Sequence, residues 1–184
     1  MILEDYARII DYLPQGLPSE KSFKREPIAY AVGETEFKLF ELIPKTGVQI
    51  IIGQRVYIGK EASKRAEILH VKRRVGYSEL TTAAQKELPF VIEEIVKSQE
   101  SRFVQFFNDA QAITTRFHML ELLPGLGKKT MWAVLEERKK GKFKSFEDIA
   151  QRVPSIKHPE KLIARRIETE LSDPTQKYHI FVAK

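Results

Sequence analysis

The spacing of apolar residues changes near residue 76, and this change constrains the fold more than any other feature of the sequence. Before residue 76, short runs rich in β-branched and aromatic residues alternate with turn residues, which is typical of strands. After it, apolar residues recur at helical spacing. The sequence therefore predicts an α+β protein with a β-rich domain over residues 1–76 and a helical domain over residues 77–184.

Five short strands are predicted in the first domain. They lie at residues 5–13, 27–33, 35–43, 48–59 and 67–74. Gly33 and Glu34 fit a tight hairpin turn, and Gly53 and Gln54 fit a turn or a bulge. Because no helical pattern interrupts these strands, we expect a small β-barrel that is closed or nearly closed.

The second domain begins with segments of helical pattern. Ser78 or Thr81 can cap the segment "ELTTAAQKEL", and Pro89 fits the first position of a further helix. In "SRFVQFFNDA", Phe103 and the Phe106–Phe107 pair share one helix face. An aromatic stripe at this spacing predicts core packing and not a platform for nucleobases.

The stretch "LLPGLGKKTMWAVLEERKKGKF" predicts a turn between two helices. Phe117, Leu120 and Leu123 recur every third residue and indicate a helix that ends at the proline, since proline disfavours helical backbone in the residue before it. A second apolar stripe follows at Met131, Val134 and Leu135. It predicts a second helix that starts near residue 127.

The residues of this turn have the properties of an anion site. Gly125 can adopt a positive φ without steric cost. Gly127 has no side chain, so the first amides of the second helix can face outward without an intrahelical partner. The helix dipole favours an anion there. Lys128 and Lys129 add two positive charges at the same point.

At these residues the chain resembles the helix-hairpin-helix family, whose hairpin has the pattern hydrophobic-Pro-Gly-hydrophobic-Gly. Leu123–Gly127 matches in full, "GKFKSFEDI" resembles the usual continuation, and Met131 departs from the family's preference for a small residue. In that family the hairpin amides grip a backbone phosphate without contacting the base. The resemblance implies this hairpin at about residues 113–140, and a degenerate second one at about 145–172 in which Lys157 replaces the second glycine.

Nearly the whole chain also resembles an archaeal family of uncharacterised proteins. The segments "IIDYLPQG", "REPIAYAVG", "GQRVYIGK", "HVKRR", "ELPFVIEEIV" and "LELLPGLGKKTMWAVLEERKKG" carry this resemblance. It implies an N-terminal five-stranded OB-like barrel followed by an all-α helix-hairpin-helix domain, and it implies nucleic-acid binding.

The charge of the chain fits a polyanionic partner. The net charge is +6, and residues 111–145 carry 8 basic and 3 acidic side chains. A local basic excess of this kind is typical of nucleic-acid contact, although a solvated lysine face is the simpler alternative. The absence of cysteine excludes disulfides and thiolate metal sites. We find neither a secretory signal nor a membrane span, and expect a cytoplasmic protein.

The sequence predicts no enzyme, no cofactor and no metal site. Some base-excision glycosylases combine this hairpin with an aspartate about twenty residues later, and Asp148 lies 21 residues after Gly127. A helix cap formed with Ser145 explains Asp148 more simply. The histidines have no metal-ligand spacing; they are His70, His118, His158 and His179.

The barrel offers further candidates for contact with a single strand, because OB barrels combine aromatic residues with a basic groove. The aromatic candidates are Tyr30, Phe37, Phe40 and Tyr57, and the basic ones are Lys38, Arg55, Lys60, Lys72, Arg73 and Arg74. Each aromatic side chain alone fits the core better than a platform. The cluster Lys72–Arg74 is the strongest basic signal in this domain.

Two functions follow as alternatives. The first is a non-enzymatic protein that binds the backbone of RNA or DNA independently of sequence, with RNA favoured over DNA. The second is a protein-interaction module within a nucleic-acid-processing or translation-related assembly. For the first, the candidate contact residues are Gly125, Gly127, Lys128, Lys129, Thr130, Arg138, Lys72, Arg73 and Arg74.

Overall fold

The computed structural model describes residues 3–18 and 25–184 and has a mixed α+β fold. Five strands form one antiparallel sheet in the order β4-β1-β2-β3-β5. Their bounds are β1 Tyr6–Leu13, β2 Ile28–Gly33, β3 Leu39–Pro44, β4 Arg55–Tyr57 and β5 Ile68–Val75. Five α-helices and a small second sheet complete the fold. The helices are α1 Thr82–Ser98, α2 Glu100–Asp109, α3 Lys128–Lys140, α4 Phe146–Arg152 and α5 Pro159–Ser172, and the second sheet pairs β6 Ala112–Thr114 with β7 Phe117–His118.

The five-stranded sheet is curled into a half-barrel. Its pairing shifts register in β1 between Ile9 and Asp11, and in β3 beside Leu42. Such bulges bend a strand and increase its twist. The concave side is filled by small and branched side chains, namely Ala7, Ile9, Ala29, Ala31, Leu42, Val56, Ile58 and Ile68. Every residue of β2 is buried, so this strand is covered on both faces.

The strand predictions hold for four of the five segments. The predicted strand at 48–59 shortens to β4, because Gly53 has a φ of +87° and Gln54 N donates to the carbonyl of Ile51 at 3.0 Å in a turn. The tight turn predicted at Gly33 is instead a longer connection over residues 34–38. The carboxylate of Glu4 organises that connection by accepting from Thr35 N and Glu36 N at 2.8 and 2.6 Å.

Helix α1 corrects the prediction that a separate helix starts at Pro89. Thr81 caps the helix, since its hydroxyl accepts from Ala84 N at 3.0 Å, and the helix then runs through Pro89 to Ser98. A proline inside a helix costs about 3 kcal/mol. The apolar face extends across the proline and is buried at Ala84, Leu88, Val91, Ile92 and Ile95. Burial of each large side chain contributes roughly 1.5–3 kcal/mol, which outweighs that cost.

The segment before Pro124 corrects a second prediction. Phe117 belongs to β7, and Met119–Leu122 form a 3₁₀ helix where the sequence predicted an α-helix. His118 begins this turn: its Nδ1 accepts from Leu120 N at 3.1 Å, and its own N–H donates to Glu121 Oε2 at 2.8 Å. Of the three spaced residues, Phe117 lies in a strand and Leu123 follows the 3₁₀ helix in extended backbone, so only Leu120 is helical and the spacing did not reflect a helix face.

The chain divides into two compact units. One comprises Met1–Val91 and Glu170–Lys184, and the other comprises Ile92–Thr169. The bounds of these units fall inside α1 and α5, whereas the predicted division of the chain is at residue 76. Among the described residues, no helix combines the length and apolar character that a membrane crossing requires.

Candidate nucleic-acid interface

The turn before α3 has the backbone geometry that an anion site needs. Gly125 has a φ of +82°, as the sequence predicted. Leu126 is buried, and its N–H donates to the carbonyl of Leu123 at 3.1 Å. The turn therefore points its backbone outward while its one apolar side chain anchors it to the core.

Gly127 is the N-cap of α3 and lies in open space. Its φ is −89°, which any residue can adopt, and a Cβ added there meets no atom within 4 Å. The first bond of the helix runs from Met131 N to the carbonyl of Gly127 at 2.9 Å. The amides of Lys128, Lys129 and Thr130 precede that bond and have no intrahelical acceptor. These amides form the positive end of the helix dipole.

The two lysines at this turn differ in their partners. Lys128 Nζ lies 3.0 Å from Glu121 Oε2 and also donates to the carbonyl of Arg116. The pKa of Glu121 is lowered, first by the bond from His118 N and then by Lys128. Lys129 is exposed, and no ion pair of Lys129 occurs in the described part of the chain. Lys129 therefore contributes the less compensated charge.

A cleft of about 240 Å³ lies beside this turn, within the unit Ile92–Thr169. Its other wall is the turn between α4 and α5. Thr130 Oγ1 and Ser155 Oγ form a hydrogen bond of 3.2 Å that joins the two walls. The lining residues are Pro124, Gly125, Leu126, Thr130, Ser155, Ile156, Lys157, His158, Lys161, Leu162 and Arg165. The cleft therefore joins the predicted hairpin turn to the predicted degenerate one.

The charge of this cleft is entirely basic. Lys157, Lys161 and Arg165 line it, and no acidic side chain from the described part of the chain does. All three are exposed, and within residues 3–18 and 25–184 none of them forms an ion pair. Sequence reasoning missed these residues as contacts, because Lys157 stood where a glycine was expected. Part of the signal was available, since Lys161 and Arg165 are four residues apart on α5 and share one face of that helix, whereas Lys157 lies in the turn before it.

Arg138 holds the helical unit together instead of lining the cleft. Its Nη1 donates to the carbonyl of Phe107 in the last turn of α2 at 3.1 Å. Burial lowers the pKa of Arg138. A cation at a helix C-terminus stabilises the dipole there. This contact occupies Arg138 within the fold.

The cluster Lys72–Arg74 is likewise engaged. Arg73 Nε lies 2.9 Å from Glu41, which is only 1% exposed, and its Nη1 lies 2.8 Å from Glu79. Lys72 also pairs with Glu41, at 3.5 Å. Arg74 donates to the carbonyls of residues 183 and 184 at 2.9 and 3.3 Å. These partners neutralise much of the charge that makes the cluster conspicuous in the sequence.

The aromatic candidates of the sheet separate into two groups. Tyr30 and Phe37 are buried in the core and present no face to a ligand. Phe40 and Tyr57 are partly buried. Phe40 lines a cavity of about 580 Å³ that also includes Lys38, Lys60, Arg65, His70 and Arg74. The remaining basic candidate, Arg55, lies 2.9 Å from Glu34 and stacks on the ring of Tyr6 at 3.7 Å.

Asp148 has the capping geometry that the sequence predicted. Its N–H donates to Ser145 Oγ at 2.9 Å, and its carboxylate accepts from Lys144 N and pairs with Arg152. The Lys144 bond is the main reason why the pKa of Asp148 is lowered. No cluster of three histidine or acidic side chains suited to a metal ion occurs among the residues that the structure describes.

Comparison with known proteins finds close relatives. The family model described as "Protein of unknown function (DUF655)" matches residues 3–183. The uncharacterized protein MJ0038 of Methanocaldococcus jannaschii is 51% identical over 180 residues, which cover 97% of this chain and 80% of that protein. The crystal structure of Af1531 from Archaeoglobus fulgidus superimposes with a TM-score of 0.91 at 52% identity, covering 98% of this chain and all of that one.

Proposed function

This chain belongs to the DUF655 family, and we propose that it is a non-enzymatic protein that binds the phosphate backbone of nucleic acid. RNA is favoured over DNA, and the binding is independent of base sequence. The observation that carries the proposal is the cleft between the turn before α3 and the turn before α5. It presents cations that have no ion pair among the described residues, and two hydroxyls, to one space of about 240 Å³ beside the start of α3.

The chemistry of the cleft matches a phosphodiester. Lys157, Lys161 and Arg165 supply charge, and the hydroxyls of Thr130 and Ser155, which share one hydrogen bond, leave one O–H as a neutral donor for a ligand. Charge-assisted hydrogen bonds of this kind are shorter and stronger than neutral ones. Because none of these groups distinguishes one base from another, such a site positions the backbone without sequence selectivity.

The assignments that we propose for the two hairpins and for the curled sheet support the same function. We assign residues 113–140 to a helix-hairpin-helix whose first helix is reduced to a 3₁₀ turn, and residues 145–172 to its degenerate partner. The curled sheet corresponds to an OB-like barrel that is open between β4 and β5, the two edge strands of the order β4-β1-β2-β3-β5. Partly open five-stranded barrels of this type bind oligonucleotides.

The cavity beside Phe40 is a second, weaker contact in this proposal. Lys60 is its exposed cation without an ion pair in the described part of the chain. Two weak contacts in one chain raise each other's effective concentration when one ligand spans both. Combining Phe40→Ala with Lys60→Glu should lower affinity for a long oligonucleotide more than for a short one. Equal losses of affinity for the long and the short oligonucleotide would mean that the cavity does not contribute to binding.

A protein-interaction module is the second candidate, and one observation favours it. Ile51 is 69% exposed and Ile52 is 41% exposed in the turn before β4. Two adjacent exposed isoleucines form a small apolar surface that suits contact with another protein. One protein can have both functions in a larger assembly. The double variant Ile51→Ser with Ile52→Ser distinguishes them, because it should leave the affinity for nucleic acid unchanged.

The direct test measures binding of the full chain to labelled oligonucleotides by fluorescence anisotropy. RNA and DNA of the same sequence, and a scrambled RNA of the same composition, are titrated over a range of salt concentrations. Affinity should fall with salt with a log–log slope equivalent to roughly two to five released counterions, since each phosphate contact contributes about 0.7–0.9. The scrambled RNA should bind as the original does. Absence of binding at low salt, or binding insensitive to salt, contradicts the proposal.

A further inference from the structure

A second groove lies on the other side of the first turn of α3, and the cleft does not include it. Its volume is about 460 Å³, and it also lies within the unit Ile92–Thr169. Its walls are α3 and the β6–β7 hairpin. The lining residues are Ala112, Thr114, Thr115, Arg116, Phe117, His118, Glu121, Lys128, Met131, Trp132 and Leu135.

Trp132 is the most unusual residue of this groove. It is the only tryptophan of the chain, and 58% of it is exposed. Met131 and Leu135 lie beside it on α3, and Phe117 lies opposite on β7. A large indole exposed beside apolar and aromatic neighbours offers an unfilled face for a flat ligand. No helix-packing role accounts for an indole that is more than half in solvent.

The rim of the groove is basic. Arg116 lies in the turn between β6 and β7 and is exposed, and within the residues that the structure describes its side chain forms no ion pair. Lys128 lies four residues before Trp132 on the same face of α3. Glu121, the one carboxylate among the described residues that line the groove, already accepts from His118 N and from Lys128. An occupant therefore meets an aromatic floor and cations at the edge, which complement a negatively charged aromatic molecule.

We infer that this groove holds one unpaired nucleobase, stacked on Trp132, with its phosphate beside Arg116. The inference rests on the proposed function and narrows its ligand to single-stranded nucleic acid. Lys128 lines the groove, and Thr130, two residues later, lines the cleft. One strand can thus pass around the start of α3 with its backbone in the cleft and a base in the groove. A base inside a duplex is already stacked and paired, so it cannot enter.

The single tryptophan makes the test direct, because fluorescence excited at a wavelength that tryptophan absorbs and the six tyrosines do not reports on this groove alone. The full chain is titrated with an oligouridylate of about 12 nucleotides, within the range that single-strand sites span. A blunt RNA duplex of the same length is the comparison. Anisotropy of a label on the RNA measures binding separately. The oligouridylate should quench Trp132 as it binds, and the duplex should not.

Variants of Trp132 give the second readout. Trp132→Ala should weaken binding of the oligouridylate about 5- to 100-fold, the range expected for one base–aromatic stack. Trp132→Phe should retain most of the affinity, and neither change should affect the duplex. Because Trp132 is largely exposed, both variants should fold, which circular dichroism verifies. Phe90→Ala is the matched control, since Phe90 is 67% exposed on α1 and does not line the groove.

The outcomes separate this inference from the proposed function. If anisotropy shows binding but the fluorescence of Trp132 does not change and Trp132→Ala binds as the parent does, the base site is wrong and the phosphate cleft survives. If Trp132→Ala weakens duplex and single strand equally, the inferred selectivity for unpaired bases is wrong. If neither RNA binds at low salt, both proposals fail.

Discussion

Two basic regions of this protein contrast in how their charges are used. Lys72–Arg74 forms a contiguous basic run in the sequence, yet Arg73 is held by Glu41 and Glu79, and Arg74 by carbonyl oxygens near the C-terminus. Lys157, Lys161 and Arg165 are dispersed in the sequence, yet they converge on one cleft that no carboxylate of the described residues lines. Cations that have no acidic partner thus identify a binding site better than cations that are contiguous in the sequence. A paired cation presents a weaker electrostatic field to a ligand.

Charge reversal in the cleft should have the largest effect. Lys157→Glu combined with Lys161→Glu should weaken RNA binding by about 100-fold or more, since losing charge-assisted bonds costs roughly 1.5–3 kcal/mol each. The melting temperature should stay close to that of the parent, because both side chains are exposed and unpaired.

The matched control reverses two lysines on α3 that do not line the cleft. Lys139 and Lys140 pair with Glu136 and Glu137 at 3.2 and 2.6 Å. Lys139→Glu with Lys140→Glu changes the net charge by the same amount and should alter affinity far less. Equal losses in both double variants would mean that overall charge, and not the cleft, determines binding.

The two glycines of the turn before α3 should respond differently to valine. Gly127→Val places a side chain in front of the first amides of α3 and should weaken binding by about 1–3 kcal/mol. The melting temperature should be normal, because the φ of Gly127 is negative and its surroundings are open. Gly125→Val should lower stability by about 1–3 kcal/mol, because a branched residue is strained at a φ of +82°. Thermal melts and anisotropy on both variants measure the two effects.

Removing Arg73 should affect stability and not binding. Arg73→Ala leaves Glu41 buried with only Lys72 as an ionic partner, at 3.5 Å. Loss of one member of a buried pair costs 3–5 kcal/mol, and we expect about 1–2 kcal/mol because Arg73 is half exposed and Lys72 remains. Chemical denaturation measures the loss. If the RNA affinity of this variant drops tenfold while its stability is unchanged, Arg73 contacts RNA, and the contrast drawn between the two regions is wrong.

The smallest expected effect is a change in how the stability of the fold depends on pH. The pKa of Glu79 lies below its ordinary 4.5, first because Gly76 N donates to it and then because of Arg73. A carboxyl with a lowered folded pKa stabilises the fold fully above its unfolded pKa, and loses this contribution as pH falls through the folded value. Glu79→Gln should therefore be less stable than the parent at neutral pH, and the difference should shrink below about pH 4.5. Denaturation curves at several pH values measure this. Lys161→Gln, which removes an unpaired cation, should show no such convergence.

Much of the fold follows from local sequence patterns. Strands β1, β2 and β5, the cap at Thr81, the positive φ of Gly125 and the start of α3 were all predictable, because each depends on residues close in sequence. The continuous helix through Pro89 was not, since burial of its apolar face overrides the local rule for proline. The 3₁₀ turn before Pro124 was missed because three-residue spacing was interpreted as one edge of an α-helix.

Only one wall of the cleft could be predicted from the sequence. The turn at Gly125 and Gly127 carries a recognisable pattern. The opposite wall of the cleft depends on how α4 and α5 pack against that turn, and Thr130 reaches Ser155 across 25 positions of sequence. Trp132 gave no signal as a contact, because exposure of a side chain on an amphipathic helix is decided by tertiary packing.

The salt dependence of RNA binding tests the central claim most directly. Anisotropy gives the affinity of the parent, of Lys157→Glu with Lys161→Glu, and of Lys139→Glu with Lys140→Glu, each at a series of salt concentrations. If the cleft holds the backbone, the cleft variant should lose about two counterions, a reduction of roughly 1.4–1.8 in the magnitude of the log–log slope. The α3 control should keep the slope of the parent. Equal slopes for the parent and the cleft variant would contradict a phosphate contact in the cleft.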